Sequence, residues 1–440
     1  MSPELNKERK LDHELLPYLN KMIYEEYHYF SPSDRSTQKH NFLHTSSIDF
    51  TYSNLKQISL EIYQEELDKM RQRTDRSAVP ETAKLLYQNK LSEQQKIVDI
   101  LKATKAGDDE GFHHASCDLY GSPQPELYWF TVLQINNRFS SLIKKTDARR
   151  KTLHAAFSVW QEYFSQLEKP ARPTIHRVPI YPGLYISDDT EIDSSEKIHK
   201  KFSKYLEKNN IYNWTVKIDF PGARTAFGVD QTTKVISIPH DSDLVLRKDV
   251  ITKIYLEALL QHEIGVHVTR RENGDNSQLA LLGIGLDNYL RAEEGIATLA
   301  EQLIMGANTY SGELGYFAIG AGMGLLSSPL DFNSLFTLLN AYFILNIADE
   351  QLDEHGFYEL DELRLMASDK AWERALRTYR GTTGNTPGAV YTRDIIYLEG
   401  NIKMWKLLDT ETNIPPHWLI GKYDPSNATH VDALSELGIL

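Results

Sequence analysis

The sequence predicts a predominantly helical α+β fold with one small sheet, and three observations carry that prediction. Leu, Lys, Glu and Gln dominate long helix-like runs from about Leu11 to Leu167. Short clusters of β-branched residues follow at 214–220 and 234–238, and apolar residues at helical spacing resume beyond Pro239.

The elements follow in order. Leu55 to Arg73, Ser92 to Lys105 and Thr146 to Leu167 read as helices. In the last, Leu153, Ala156, Phe157, Trp160, Phe164 and Leu167 recur at three and four residues, which puts one apolar stripe on a helix face and predicts core packing. Lys169-Pro-Ala-Arg-Pro173, then Pro179 and Pro182-Gly183, end the helical pattern and predict a boundary near 170. The chain is therefore read as a helical N-terminal region, 1–169, and a second domain, 170–440. Trp214 to Phe220 and Lys234 to Ile238 predict strands, with Pro221-Gly222 between them. Helices are expected from Lys248 through about Arg271, Arg291 through Met305, Phe332 to Asp349 and Leu360 to Tyr379. Leu314 to Leu330 is uncharged but interrupted by Gly315, Gly320, Gly322, Gly324 and Pro329, and is expected to be buried core.

Composition excludes several function classes. The 440 residues are 41% hydrophobic and 25% charged, an ordinary globular balance. With 48 Lys and Arg against 61 Asp and Glu, the formal net charge is −13, which argues against broad capture of nucleic acid or anionic lipid. Cys117 is the only cysteine, so an intrachain disulfide and a cysteine zinc cluster are excluded. The first residues, MSPELNKERKLDHELL, show neither a secretory signal nor a membrane anchor, and the expectation is a soluble cytoplasmic chain.

The informative segment is Gln261-His262-Glu263-Ile264-Gly265-Val266-His267, an H-E-x-x-x-H arrangement. In the commoner H-E-x-x-H the two imidazoles lie about 40° apart around a helix and share one metal. A spacing of five leaves them about 140° apart on a straight α-helix, so joint ligation requires a π-type widening, which Gly265 would tolerate. Two histidines leave a catalytic zinc short of one protein ligand. Arg291-Ala-Glu-Glu-Gly-Ile-Ala297, opening a helix whose apolar face is Ile296, Ala300 and Leu303, offers Glu294, with Glu293 as the neighbouring alternative. Glu301, two turns beyond Glu294, is placed to accept a hydrogen bond from a ligating histidine. His113-His114, beside Asp108, Asp109 and Glu110, are expected in a solvated loop, while His154, His176, His199 and His355 have no partner at ligand spacing.

Four ordered motifs, HEIGVH, Arg270 and Asn273 in R-x-x-N, AEEGIA at 292–297 and YTRDIIYLEG at 391–400, together resemble the family that contains the microtubule-associated tyrosine carboxypeptidases and the bacterial proteins named for a QEGLA motif. The resemblance spans roughly 170–405. It implies a zincin-like metallopeptidase domain with one zinc per chain, held by His262, His267 and Glu294, and with Glu263 as the catalytic base. Ile296, Glu293 and Arg393 depart from the usual Leu, Gln and Lys. The implied substrate is the C-terminus of a peptide or protein, from which a terminal residue, tyrosine or another aromatic included, is removed. Tubulin is not carried over, because the chain is acidic and has no long basic run.

A zinc hydrolase also needs a donor opposite the metal and a hold on the substrate. Tyr397 is the candidate for the stabilising hydrogen bond, with Tyr391 beside it, and Arg393 for a bidentate contact to a substrate carboxylate. The alternative is a core helix or strand built on Ile395, Ile396 and Leu398, with Arg393 paired to Asp394 or another surface acid. Asn273-Gly274 predicts a turn leaving the zinc helix. Two other activities fit the same residues: a zinc endopeptidase or amidase, and a non-catalytic regulatory metalloprotein, against which an intact Glu263 speaks.

Overall fold

The computed structural model describes the chain except residues 1–9, 22–28, 148–149, 172–178, 184–193, 224–226, 247–250, 353–359 and 410. Pro173, His176, the expected helix start at Lys248 and His355 lie outside the described residues.

The described residues are predominantly helical with one three-stranded sheet, an α+β architecture. The longer helices before the Pro-dense stretch are α1 (Arg35–Thr45), α2 (Leu60–Arg76), α3 (Glu81–Ala106), α4 (Asp109–Tyr120), α5 (Pro125–Lys145) and α6 (Lys151–Ser165). Local chemistry delimits them: Asp108 caps α4 by accepting from the Gly111 amide at 2.9 Å, Pro125 opens α5, and Gly107 ends α3 with a positive φ of 68°. His113 and His114 belong to α4 and not to a loop. The apolar positions Phe112 and Leu119 carry the helix into the core, and His113 Nδ1 lies 2.9 Å from the Val390 carbonyl oxygen.

The sheet consists of β1 (Thr215–Ile218), β2 (Gly228–Asp230) and β3 (Val235–Ile238), preceded by α7 (Ser195–Lys208). β3 is central, parallel to β1 with Thr215 opposite Val235 and antiparallel to β2 with Gly228 opposite Ser237. β1 and β3 fall where the sequence predicts strands; β2, three residues long, is too short for period-two alternation to reveal it.

Beyond the sheet, Thr252 caps α8 (Lys253–Leu260), which continues into a π-helix at Gln261–Val268 and then α9 (Thr269–Asn276). There is no turn at Asn273-Gly274. Gly274 lies inside α9, where a side chain would collide with the Leu282 and Gly283 backbone, while Asn273 Nδ2 donates to the Leu419 carbonyl at 2.8 Å. The longer helices that follow are α10 (Leu290–Met305), α11 (Glu313–Met323), α12 (Phe332–Leu352), α13 (Leu360–Tyr379), α14 (Ile395–Leu408) and α15 (Ala428–Glu436).

Three cores matter for the site. The largest joins α4–α6 to α11–α14, with Trp160, Phe317 and Tyr342 at its centre. A second packs Leu86, Tyr87 and Leu91 of α3 against Leu279–Leu282 and Leu434. Residues on both sides of the Pro-dense stretch thus share common cores. A third holds the sheet and α7 against α8 and the π-helix through Ile198, Phe202, Ile236, Ile238 and Leu256. None of the described helices is long and apolar enough to cross a membrane.

Candidate metal centre

The π-helix settles the spacing problem. Its backbone bonds run from i to i+5, so residues five apart become neighbours on one face. His262 and His267 accordingly stand with ring centroids 4.9 Å apart, and the Thr269 hydroxyl donates to the Ile264 carbonyl, five residues back, at 2.8 Å. Gly265 does not take a positive φ there. Its missing side chain leaves room instead: a Cβ would sit 2.4 Å from the Gln261 side-chain oxygen.

Glu294 is the fifth residue of α10. One ligand atom each from His262, His267 and Glu294 lies within 4.8 Å of the others, the one such group among the described residues. His267 Nε2 is 3.9 Å from Glu294 Oε2, while its Nδ1 is 2.9 Å from Glu293 Oε1. The two adjacent glutamates therefore divide the work. Glu294 faces the cluster and Glu293 orients a histidine from behind, the arrangement that fixes a ligand's tautomer.

Electrostatics around the cluster favour a cation. Burial works against protonating His262, but Glu301, aided by Glu263 and Glu294, outweighs it and raises the imidazole to about 9. His262 Nδ1 is 3.0 Å from Glu301 Oε1, although the angle falls short of an aligned hydrogen bond. Glu293 is almost fully buried, which alone would raise its pKa, yet Arg270 and Lys422, with His267, hold it at about 2.

Arg270 of the R-x-x-N motif stands behind the cluster, a role that the motif alone does not reveal. Its side chain is fully buried; it pairs with Glu293 and donates to the carbonyls of Gly421, at 2.9 Å, and Tyr423. It thus ties the C-terminal segment to the back of the cluster. The available signal was its place three residues after His267, one turn along the same helix.

The late motif reaches the cluster through a close helix crossing. A Cβ on Gly295 would lie 2.5 Å from the Gly400 carbonyl oxygen, and one on Gly400 would lie 2.1 Å from that of Arg291. Only glycines allow α10 and α14 to approach so closely. The crossing brings Tyr397 to the cleft, where Glu294 foremost, then burial, pushes its hydroxyl up to about 12. Arg377 flanks it, with Nη2 3.4 Å from the hydroxyl.

The cluster opens into a cleft of about 600 Å³, within the range of ligand sites. His262, Glu263, His267, Glu294, Arg393 and Tyr397 line it, together with β2, Val235 and Ser237. Tyr391 is not among the residues lining it. It is 1% exposed and packs edge-on against Phe30 and Tyr120, so aromatic packing and not substrate contact accounts for its position. Asp394 does not depend on Arg393: Arg374 Nη1 at 2.9 Å and Arg377 Nη2 at 3.0 Å serve it.

No curated protein and no solved structure matches the chain. A protein-family model does match, over residues 228–309, a span that runs from β2 through the π-helix to the end of α10 and so includes His262, Glu263, His267 and Glu294 but neither Arg393 nor Tyr397. That family is the microtubule-associated tyrosine carboxypeptidases, which the four motifs resemble, and the match falls on the segment that builds the cluster.

Proposed function

We propose that the protein is a zinc-dependent peptidase of zincin-like architecture, acting as a carboxypeptidase on the C-terminus of a peptide or protein. The observation that carries this reading is the cluster itself: two imidazoles and one carboxylate within ligand distance, with a glutamate beside the first histidine in the same cleft. Three protein ligands leave a position open for chemistry, as catalytic zinc sites do, whereas structural sites close all four.

His262, His267 and Glu294 would hold the ion. A zinc ion bound there acts as a Lewis acid, polarising a carbonyl and acidifying water. Glu263, beside the first histidine in the same cleft, would accept the water's proton and pass it to the departing amine. The Tyr397 hydroxyl stays protonated through the neutral range and can donate to the oxygen on which negative charge develops. Arg393 lines the same cleft and supplies the planar fork that suits a substrate carboxylate. The name of the matched family supports release of a C-terminal tyrosine as the first specificity to test.

The test combines elemental analysis with mass spectrometry of peptides varied at their last residue. About one zinc per chain with trimming of single C-terminal residues supports the carboxypeptidase. Internal cleavage replaces it by an endopeptidase, and zinc without cleavage by Glu263-containing protein overturns the hydrolase.

A further inference from the structure

Beside the metal cleft lies a second cavity, of about 120 Å³, that shares Gln231, Thr232, Tyr289, Leu290 and Arg393 with it. That is room for roughly four waters, enough for one side chain or a chain end. Its charge runs against the rest of the molecule. In a chain of net charge −13, the cavity is lined by Lys90, Arg271, Arg291, Arg393 and Lys422, with Glu93 as the one acidic lining residue.

These cations are held in place. Lys90 and Lys422 are 5% and 2% exposed, and their ammonium groups stand 5.2 and 5.4 Å from the ring centroid of Tyr289. Lys90 pairs with Glu93, which also accepts from the Asn288 amide at 2.8 Å. Behind the wall, Asp275 takes Arg271 at 3.0 Å and Glu399 takes Arg291 at 3.1 Å. The arrangement is a preorganised positive recess, continuous with the cleft where a scissile bond would lie. About a third of its lining comes from the helical region before 170: Lys90, Glu93, Gln94 and Ile97 from α3, Leu119 and Tyr120 from α4.

We propose that α3 and α4 build a second substrate subsite against the metal cleft, one that takes a carboxylate of the substrate chain. The proposal rests on the peptidase reading and assigns the N-terminal region a share in substrate recognition. The carboxylate has two sources, the chain terminus or an acidic side chain near it, and the test separates them.

Calorimetry on the full-length Glu263→Gln protein compares three acetylated peptides: Gly-Ala-Gly-Ala-Tyr with a free terminus, its C-terminal amide, and the amide with Glu at the third position. A carboxylate-bearing peptide is expected to bind roughly ten- to hundredfold more tightly than the neutral amide. The free acid gaining identifies the terminus, and the Glu amide gaining identifies the side chain. Lys90→Gln and Arg271→Gln should each reduce that advantage and leave the neutral amide unchanged, with Lys90→Arg restoring it. Equal affinity for all three peptides overturns the subsite, as does an advantage that survives both variants; if the variants do not fold, the comparison among peptides decides alone. Discrimination in binding without hydrolysis by wild type overturns the peptidase and keeps the subsite, whereas hydrolysis without discrimination overturns only the subsite.

Discussion

His267 uses its two nitrogens for different tasks, Nδ1 toward Glu293 and Nε2 toward Glu294, and Arg270 holds Glu293 in turn. Removing Arg270 leaves a buried carboxylate without its main partner. Arg270→Ala is therefore expected to cost about 3–5 kcal/mol of stability and to weaken metal binding about 10- to 100-fold, read by thermal melts and by metal titration. The pH dependence has a definite sign. Glu293 is held at about 2 against an ordinary 4.5, so its stabilising effect is complete above pH 4.5 and is lost as pH falls toward 2. Melting temperature should drop over that window, and the Arg270→Ala protein should show a shallower drop. A flat profile in the parent protein would contradict the assignment. Which of Glu293 and Glu294 faces the cluster was not legible in the sequence, because adjacent residues differ only by about 100° around a helix and the choice depends on what packs behind. Arg270 belongs to the R-x-x-N motif, but its role behind Glu293 was hidden for a related reason: its carbonyl partners, Gly421 and Tyr423, lie in a distant segment.

At the scale of elements, the site depends on two departures from regular helix packing. The π-helix was legible, since five-residue spacing is incompatible with a straight α-helix, and the observed backbone supplies the widening. The crossing of α10 and α14 was not. AEEG and YLEG stood out as motifs, but nothing in either shows that Gly295 and Gly400 touch. Gly295→Ala and Gly400→Ala should each destabilise by about 1–3 kcal/mol, because backbone atoms occupy the space a methyl needs. Both should also reduce hydrolysis beyond their effect on folding, by moving Glu294 away from Tyr397; full specific activity in a folded variant would contradict this. Tyr391 shows the limit of motif reading. It lies six residues before Tyr397, but it precedes the helix and points into the aromatic core.

For the whole molecule, composition and hydrophobic spacing conveyed the helical majority, two of three strands and the extent of α13, all of which depend on local pattern. They could not convey that Trp160 meets Phe317, or Tyr87 of α3 the buried backbone around Leu281 through Asp12, because such contacts join segments more than 150 residues apart. A fragment of residues 170–440 would expose the faces of α11 and α12 that α5 and α6 cover. It is expected to aggregate or to lack a cooperative thermal transition, and a sharp melt with native-like helicity would contradict the shared cores. The central claim concerns the cluster, and metal content measured together with cleavage tests it most directly. A catalytic zinc site predicts about one zinc per chain in wild type, its loss in His262→Ala, and retention of zinc in Glu263→Gln with peptide cleavage lowered by about 10²–10⁴-fold. Wild-type protein that binds no metal after exposure to zinc, or a Glu263→Gln protein that cleaves as fast as wild type, would contradict it.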